Sequence, residues 1–192
     1  FEEAIRAVGL MANAGETGRW QARGLAVFSP SMQNTRALAT TLIMPEDNAA
    51  LVAALRQVNN PVAAVQVARR SREHPGVLLQ LALCYLDNPG EEGISAAEQA
   101  VAADPNQPLA HVALALIAQR SDNATRAIEC YEAALAIWQN EPGWHEAVSD
   151  LYMQEGDVSQ CVAHRKLAQE LEPDNATYAY KLGQACLADG SV

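Results

Sequence analysis

Aromatic side chains are scarce in this chain: two Phe, three Trp and five Tyr among 192 residues. Large rings fill wide gaps between elements, so a chain with few of them must bring its backbones close together on small residues. Long apolar runs are absent as well. No stretch approaches the ~18 consecutive apolar residues of a membrane-spanning helix, and alternating apolar–polar runs of useful length are missing. No signal-peptide pattern is visible. The cysteines, Cys84, Cys130, Cys161 and Cys186, lie 46, 31 and 25 residues apart, and none forms the close pair that structural zinc sites use. They are expected as buried free thiols, and that favours a reducing compartment. The cytoplasm is the expected location, with the periplasm as the alternative if an upstream signal has been removed.

Cations are missing where nucleic acid would need them. Residues 1–72 carry eight Arg/Lys and five Asp/Glu, whereas residues 73–192 carry five and eighteen, giving the chain its net charge of −10. A phosphate backbone calls for clustered cations, so the acidic part excludes it as a partner. Arg69, Arg70 and Arg72 form the best basic patch and read as a solvated helix end. Catalytic signatures are equally thin. His74, His111, His145 and His164 are scattered, no nucleophile turn is present, and the glycines form no phosphate-cradling loop. Glu91-Glu92 reads as a loop, and Glu129/Glu132 as a helix surface. Cys161 and His164 share a helix face, but two ligands make no metal centre. Trp20, Trp138 and Trp144 read as core or hairpin-packing residues. No catalytic residue, metal or cofactor is assigned.

What the chain does have is a period. Pro108 and Pro142 stand 34 residues apart. Leu114, Val148 and Leu182 keep the same step, as do Ala115, Ser149 and Gly183; Ala118, Tyr152 and Cys186; and Ala100, Ala134 and Ala168. Ala127 returns as Cys161, and Gly156 as Gly190. Such a period marks stacked helical hairpins, none able to bury its apolar face alone. Local signals agree. Asn60-Pro61 places a capping side chain ahead of a first-turn proline. Asp122 and Asp157 stand where second helices begin, and Gly156 and Gly190 suit helix ends. Asn123 and Asn175 read as caps, and Ser95-Ala96-Ala97-Glu98 fits a capping box.

The segment Pro142 to Asn175, with Trp144, Val148-Ser149, Tyr152, Gly156-Asp157 and Pro173, resembles a tetratricopeptide repeat. The next segment repeats its first helix with Leu182-Gly183 and Gly190. The preceding one carries the second-helix pattern of Ala127, Ile128, Tyr131, Ala134 and Leu135. Departures are Ala118 in place of an aromatic, Gln139 in place of the closing proline, and Arg165 where a bulky apolar residue belongs. The resemblance implies an all-α fold, a right-handed superhelix of antiparallel helix hairpins. Its array spans 45–192, in units of about 45–74, 75–107, 108–141, 142–175 and an incomplete 176–192. Residues 1–44 read as a degenerate repeat or a cap, with a first amphipathic helix over Phe1 to Ala14. An unpaired last helix implies a piece of a longer protein.

The resemblance also implies a role in binding another protein. First helices of the family line a concave groove, and the corresponding positions here are Leu109, Val112, Leu116 and Gln119, then Glu146, Asp150 and Met153, then Thr177, Tyr180, Lys181 and Gln184. That surface is apolar at one end and charged or polar at the other, fit for an extended peptide or a partner helix. The alternative is that the chain's own N-terminal helices plug it. The chaperone-binding branch grips a terminal carboxylate with Lys, Asn and Arg. Val112, Ala113, Leu116, Gly143 and Ala147 stand at those places here, so chaperone tails are not expected. A second role stays open: a non-catalytic substrate-holding or regulatory repeat region of a larger glycosyltransferase, secretion or export machine, or signalling protease.

Overall fold

The computed structural model describes residues 45–57, 59–69, 74–88 and 90–190, and the expectations for 1–44, Trp20, Arg70 and Arg72 lie outside them. Among the described residues there are nine α-helices and no strand. They are α1 (Pro45–Gln57), α2 (Pro61–Ala68), α3 (Pro75–Cys84), α4 (Glu91–Ala103), α5 (Pro108–Arg120), α6 (Ala124–Ile137), α7 (Pro142–Glu155), α8 (Val158–Leu171) and α9 (Ala176–Asp189). None is long and apolar enough to cross a membrane. The chain divides into two compact units, Phe1–Asp87 and Asn88–Val192.

In the first unit α1, α2 and α3 pack pairwise. Leu51, Val52, Leu55, Ala64, Val77 and Leu81 are buried there. Asn60 caps α2 as its sequence promised, its side chain accepting from the Ala63 N–H. Arg56 donates from Nη1 to Gln80 Oε1 at 2.8 Å, tying α1 to α3. Arg69 follows directly on the last residue of α2, and its Nη2 reaches the Tyr85 hydroxyl at 3.4 Å.

The second unit is a run of hairpins. α5 packs on α6, α7 on α8, and α6 on α7, with α4 against α5 and α8 against α9. Proline opens α5 and α7, where the missing N–H costs nothing. Asn123, Asp157 and Asn175 accept from backbone N–H groups of the first turns of α6, α8 and α9. Asp122 stands two residues before the first residue of α6, with φ +55. Gly156 and Gly190 end α7 and α9 in the left-handed region, at φ 84 and 74.

The 34-residue step is a packing step. Ala115 and Ser149 are fully buried at the helix crossings of their hairpins, and Leu114 and Val148 are buried beside them. Gly183, at the same register of α9, is exposed, and Leu182 packs at the edge of a core cluster of Cys161, Val162 and Ala185.

Two expectations fail here. Ser95 does not cap a helix. α4 begins at Glu91, so Ser95 lies inside it and its hydroxyl accepts from Gln99 Nε2, while Glu98 pairs with Arg126 of α6. The helix starts early because Glu91 and Glu92, read as a loop, fall in its first turn, where negative charge meets the positive end of the helix dipole. Trp138 is no core residue either. It follows the end of α6 with extended backbone and is 57% exposed.

Candidate functional site

On α5, Leu109 is 50% exposed, and Val112, Leu116 and Gln119 are half-buried. They form an apolar strip ending in an amide. Ala110, Ala113, Leu114 and Ile117 of the same helix are buried. The face offered to solvent therefore differs from the face that packs.

On α7 and α9 the chain brings Glu146, Asp150 and Lys181 together. Lys181 Nζ lies 2.6 Å from Glu146 Oε1 and 3.0 Å from Asp150 Oδ2. Beneath them Arg165 of α8 is 8% exposed. Its Nη2 donates to Asp150 Oδ1 at 2.9 Å and its Nη1 to the Lys181 carbonyl at 2.6 Å. Its Nε faces Ser149 Oγ at 3.4 Å. A buried guanidinium without partners is prohibitive, and this one uses both ends of its fork. Burial works against the Lys181 charge. The hydrogen bonds and charges of Glu146 and Asp150 outweigh it, and the ammonium is held above its ordinary value.

The remaining predicted positions sit apart from that network. Met153 packs against the core cluster beneath α9. Thr177 is exposed at the start of α9, its N–H taken by Asn175. Tyr180 is 67% exposed, and its hydroxyl accepts from Gln184 Nε2 at 2.9 Å. Tyr180, Gly183 and Leu187 border an apolar hollow of about 430 Å³ on α9.

Sequence reasoning missed a second constellation. His145 of α7 and His164 of α8, read as scattered, are both buried, with Nδ1 to Nδ1 at 3.0 Å. His164 Nε2 lies 2.9 Å from Glu132 Oε1 of α6. The signal was present: His145 and His164 lie on the two helices of one hairpin, each next to the buried Ser149–Arg165 contact in sequence or one turn from it. These groups floor a recess of about 520 Å³ walled by Leu135 and Leu167.

The four cysteines are free. Cys130 and Cys161 are buried, and burial pushes both thiols above their ordinary value. Cys84 is pushed up to about 11 by burial, against the pull of Arg56. Among the described residues no group of three or more His, Cys, Asp or Glu is arranged to hold a metal ion.

Three solved structures show what this architecture is. A thermophilic TPR protein of Thermus thermophilus superposes with a TM-score of 0.65 at 18% identity, covering 88% of this chain and 99% of that one. The MamA RS-1 ArsTM double mutant gives 0.72 at 18%, over 86% and 98%. The APC/C hetero-tetramer Cut9–Hcn1 gives 0.76 at 15%, over 94% of this chain and 38% of that one. The fold is the tetratricopeptide repeat. No family model matches the chain, and no curated protein sequence does. Against the TPR pattern the largest departure is Arg165. It stands where the pattern has a bulky apolar residue, and the fold absorbs it by making Asp150 of α7 and the Lys181 carbonyl of α9 its partners.

Proposed function

We propose that the chain is a protein-interaction scaffold without chemistry of its own, and that it holds a peptide or a partner helix along the first helices of its hairpins. The observation that carries this reading is the α5 strip. Leu109 stands half open beside half-buried Val112 and Leu116, on a helix whose opposite side is already fully packed. Such residues supply affinity when a partner covers them. The Glu146–Asp150–Lys181 cluster supplies register instead, because its charges are already matched and repel a partner that brings an unpaired one. The partner is a protein or peptide, not nucleic acid, given the acidic balance of residues 73–192. Free thiols suit a reducing location such as the cytoplasm.

The test is affinity capture with the native chain and with Leu109→Glu. Leu109 is chosen because it is exposed and outside the ion-pair network, so the variant keeps its fold. Proteins retained by the first and lost by the second support the reading. Equal retention by both overturns it.

A second reading is that these repeats serve a larger protein as its substrate-holding or regulatory region. It draws on one observation: this chain covers only 38% of the matched chain in the Cut9–Hcn1 structure. The mass of the endogenous protein, read on a blot with an antibody to residues 108–139, separates the two.

A further inference from the structure

The contacts around His145 and His164 fix a proton count. His145 Nε2 lies 3.0 Å from the carbonyl oxygen of Gln139, which can only accept. His164 Nε2 lies 2.9 Å from Glu132 Oε1, which also accepts from the Tyr152 hydroxyl at 3.3 Å. Both Nε2 atoms therefore donate. A neutral imidazole has one N–H, so two neutral rings would point lone pairs at each other across the 3.0 Å between their Nδ1 atoms. Two imidazolium rings would point two N–H groups at each other. With Glu132 ionised, only three protons on four nitrogens satisfy every contact.

We propose that His145 and His164 form a one-proton clasp, a pair that takes up a single extra proton on acidification and shares it beside Glu132 where α6, α7 and α8 meet. The groups facing the pair are Glu132 from α6, Tyr152 stacked on His164 from α7, and Glu170 of α8 at the recess. Arg165, next to His164 in the chain, is committed to Asp150 and the Lys181 carbonyl. The clasp thus has one fixed counter-charge, Glu132, and room for one proton.

Burial works against charge on His164 and the neighbouring imidazole adds to it, while the Glu132 carboxylate and its hydrogen bond oppose both; the balance lies below the ordinary imidazole value of 6.5. The shared proton is therefore taken up as pH falls below 6.5. A lowered folded-state value gives stability that is present above 6.5 and lost as pH falls through it.

The experiment is long-range ¹H–¹⁵N spectroscopy of the imidazole nitrogens in the full chain, from about pH 4 to pH 9, which spans the imidazole range. The expected result is a third protonated nitrogen on the pair, taken up below pH 6.5 and shared across the Nδ1–Nδ1 contact. Glu132→Gln, lacking the counter-charge, moves that uptake to still lower pH. Two rings titrating independently of each other, or no third protonated nitrogen by about pH 4, would overturn the clasp. So would an uptake unmoved in Glu132→Gln. The native chain alone yields the first two outcomes, so the test does not depend on the variant folding.

Discussion

Arg165 of α8 reaches through the α7–α8 packing to Asp150 of α7, its Nη2 2.9 Å from Oδ1, and it does so while 8% exposed. The pair turns a repeat position meant for an apolar side chain into an anchor for the Glu146–Asp150–Lys181 charges. Arg165→Ala takes one partner from Asp150, which keeps Lys181, and leaves the Lys181 carbonyl without its guanidinium donor, and the expected cost is about 1–3 kcal/mol. Arg165→Leu restores the apolar residue of the repeat pattern and is expected to cost at least about 1 kcal/mol less than Ala, since well-packed apolar replacements of buried ion pairs are often neutral. Urea unfolding of the three proteins measures both. Equal losses for Ala and Leu would mean that the position needs charge rather than volume.

Lys181 makes the same network sensitive to alkali. Its pKa is raised in the folded chain, so its contribution is full below the ordinary value of 10.5 and fades as pH climbs through the folded one. Melting temperatures followed from neutral pH upward should fall more steeply above pH 10.5 in the native chain than in Lys181→Met. Buried Tyr131, pushed up to about 12, adds the same alkaline loss to both proteins and cancels in the comparison.

Two glycines with similar surroundings should respond in opposite ways. An added Cβ meets nothing within 4 Å at Gly156 or at Gly183. Gly156 sits at φ +84, and Gly156→Ala is expected to cost about 1–2 kcal/mol from backbone strain. Gly183 is in the interior of α9, where Gly183→Ala should gain about 0.5–1 kcal/mol. Denaturation midpoints read both signs.

Burial and raised pKa together protect two thiols. Cys130 and Cys161 should resist an aromatic disulfide reagent in the native chain at about pH 8 and react at once in denaturant. Fast native labelling of Cys161 would show that the α8–α9 contact opens readily.

Much of the fold was legible because packing writes its period into the sequence. Leu114, Val148 and Leu182 repeat where large residues meet the neighbouring helix, and Ala115 and Ser149 where small residues are fully buried, while Gly183 keeps the register on an exposed face. Gly156, Asn123 and Asp157 are legible because a helix end needs one backbone geometry or one acceptor, and few residues provide it. The α4 start was hidden because two signals competed: Ser95 to Glu98 spell a cap, yet Glu91 and Glu92 satisfy the helix end four residues earlier. Arg165 registered only as a departure, since its partners Asp150 and Lys181 lie on other helices. His145 and His164 looked scattered for the same reason, being 19 residues apart and joined by hairpin register alone. Periodicity reports what each position packs against, while charges and imidazoles find their partners across elements.

Backbone NMR during titration with a peptide selected from a random display library tests most directly whether the first-helix face binds a partner. Shifts are expected to concentrate at Leu109, Val112, Leu116 and Gln119, with an affinity at least about tenfold weaker for Leu109→Glu, as losing an apolar anchor implies. Shifts confined to α6 and α8, with Leu109→Glu binding as tightly as the native chain, would contradict first-helix binding.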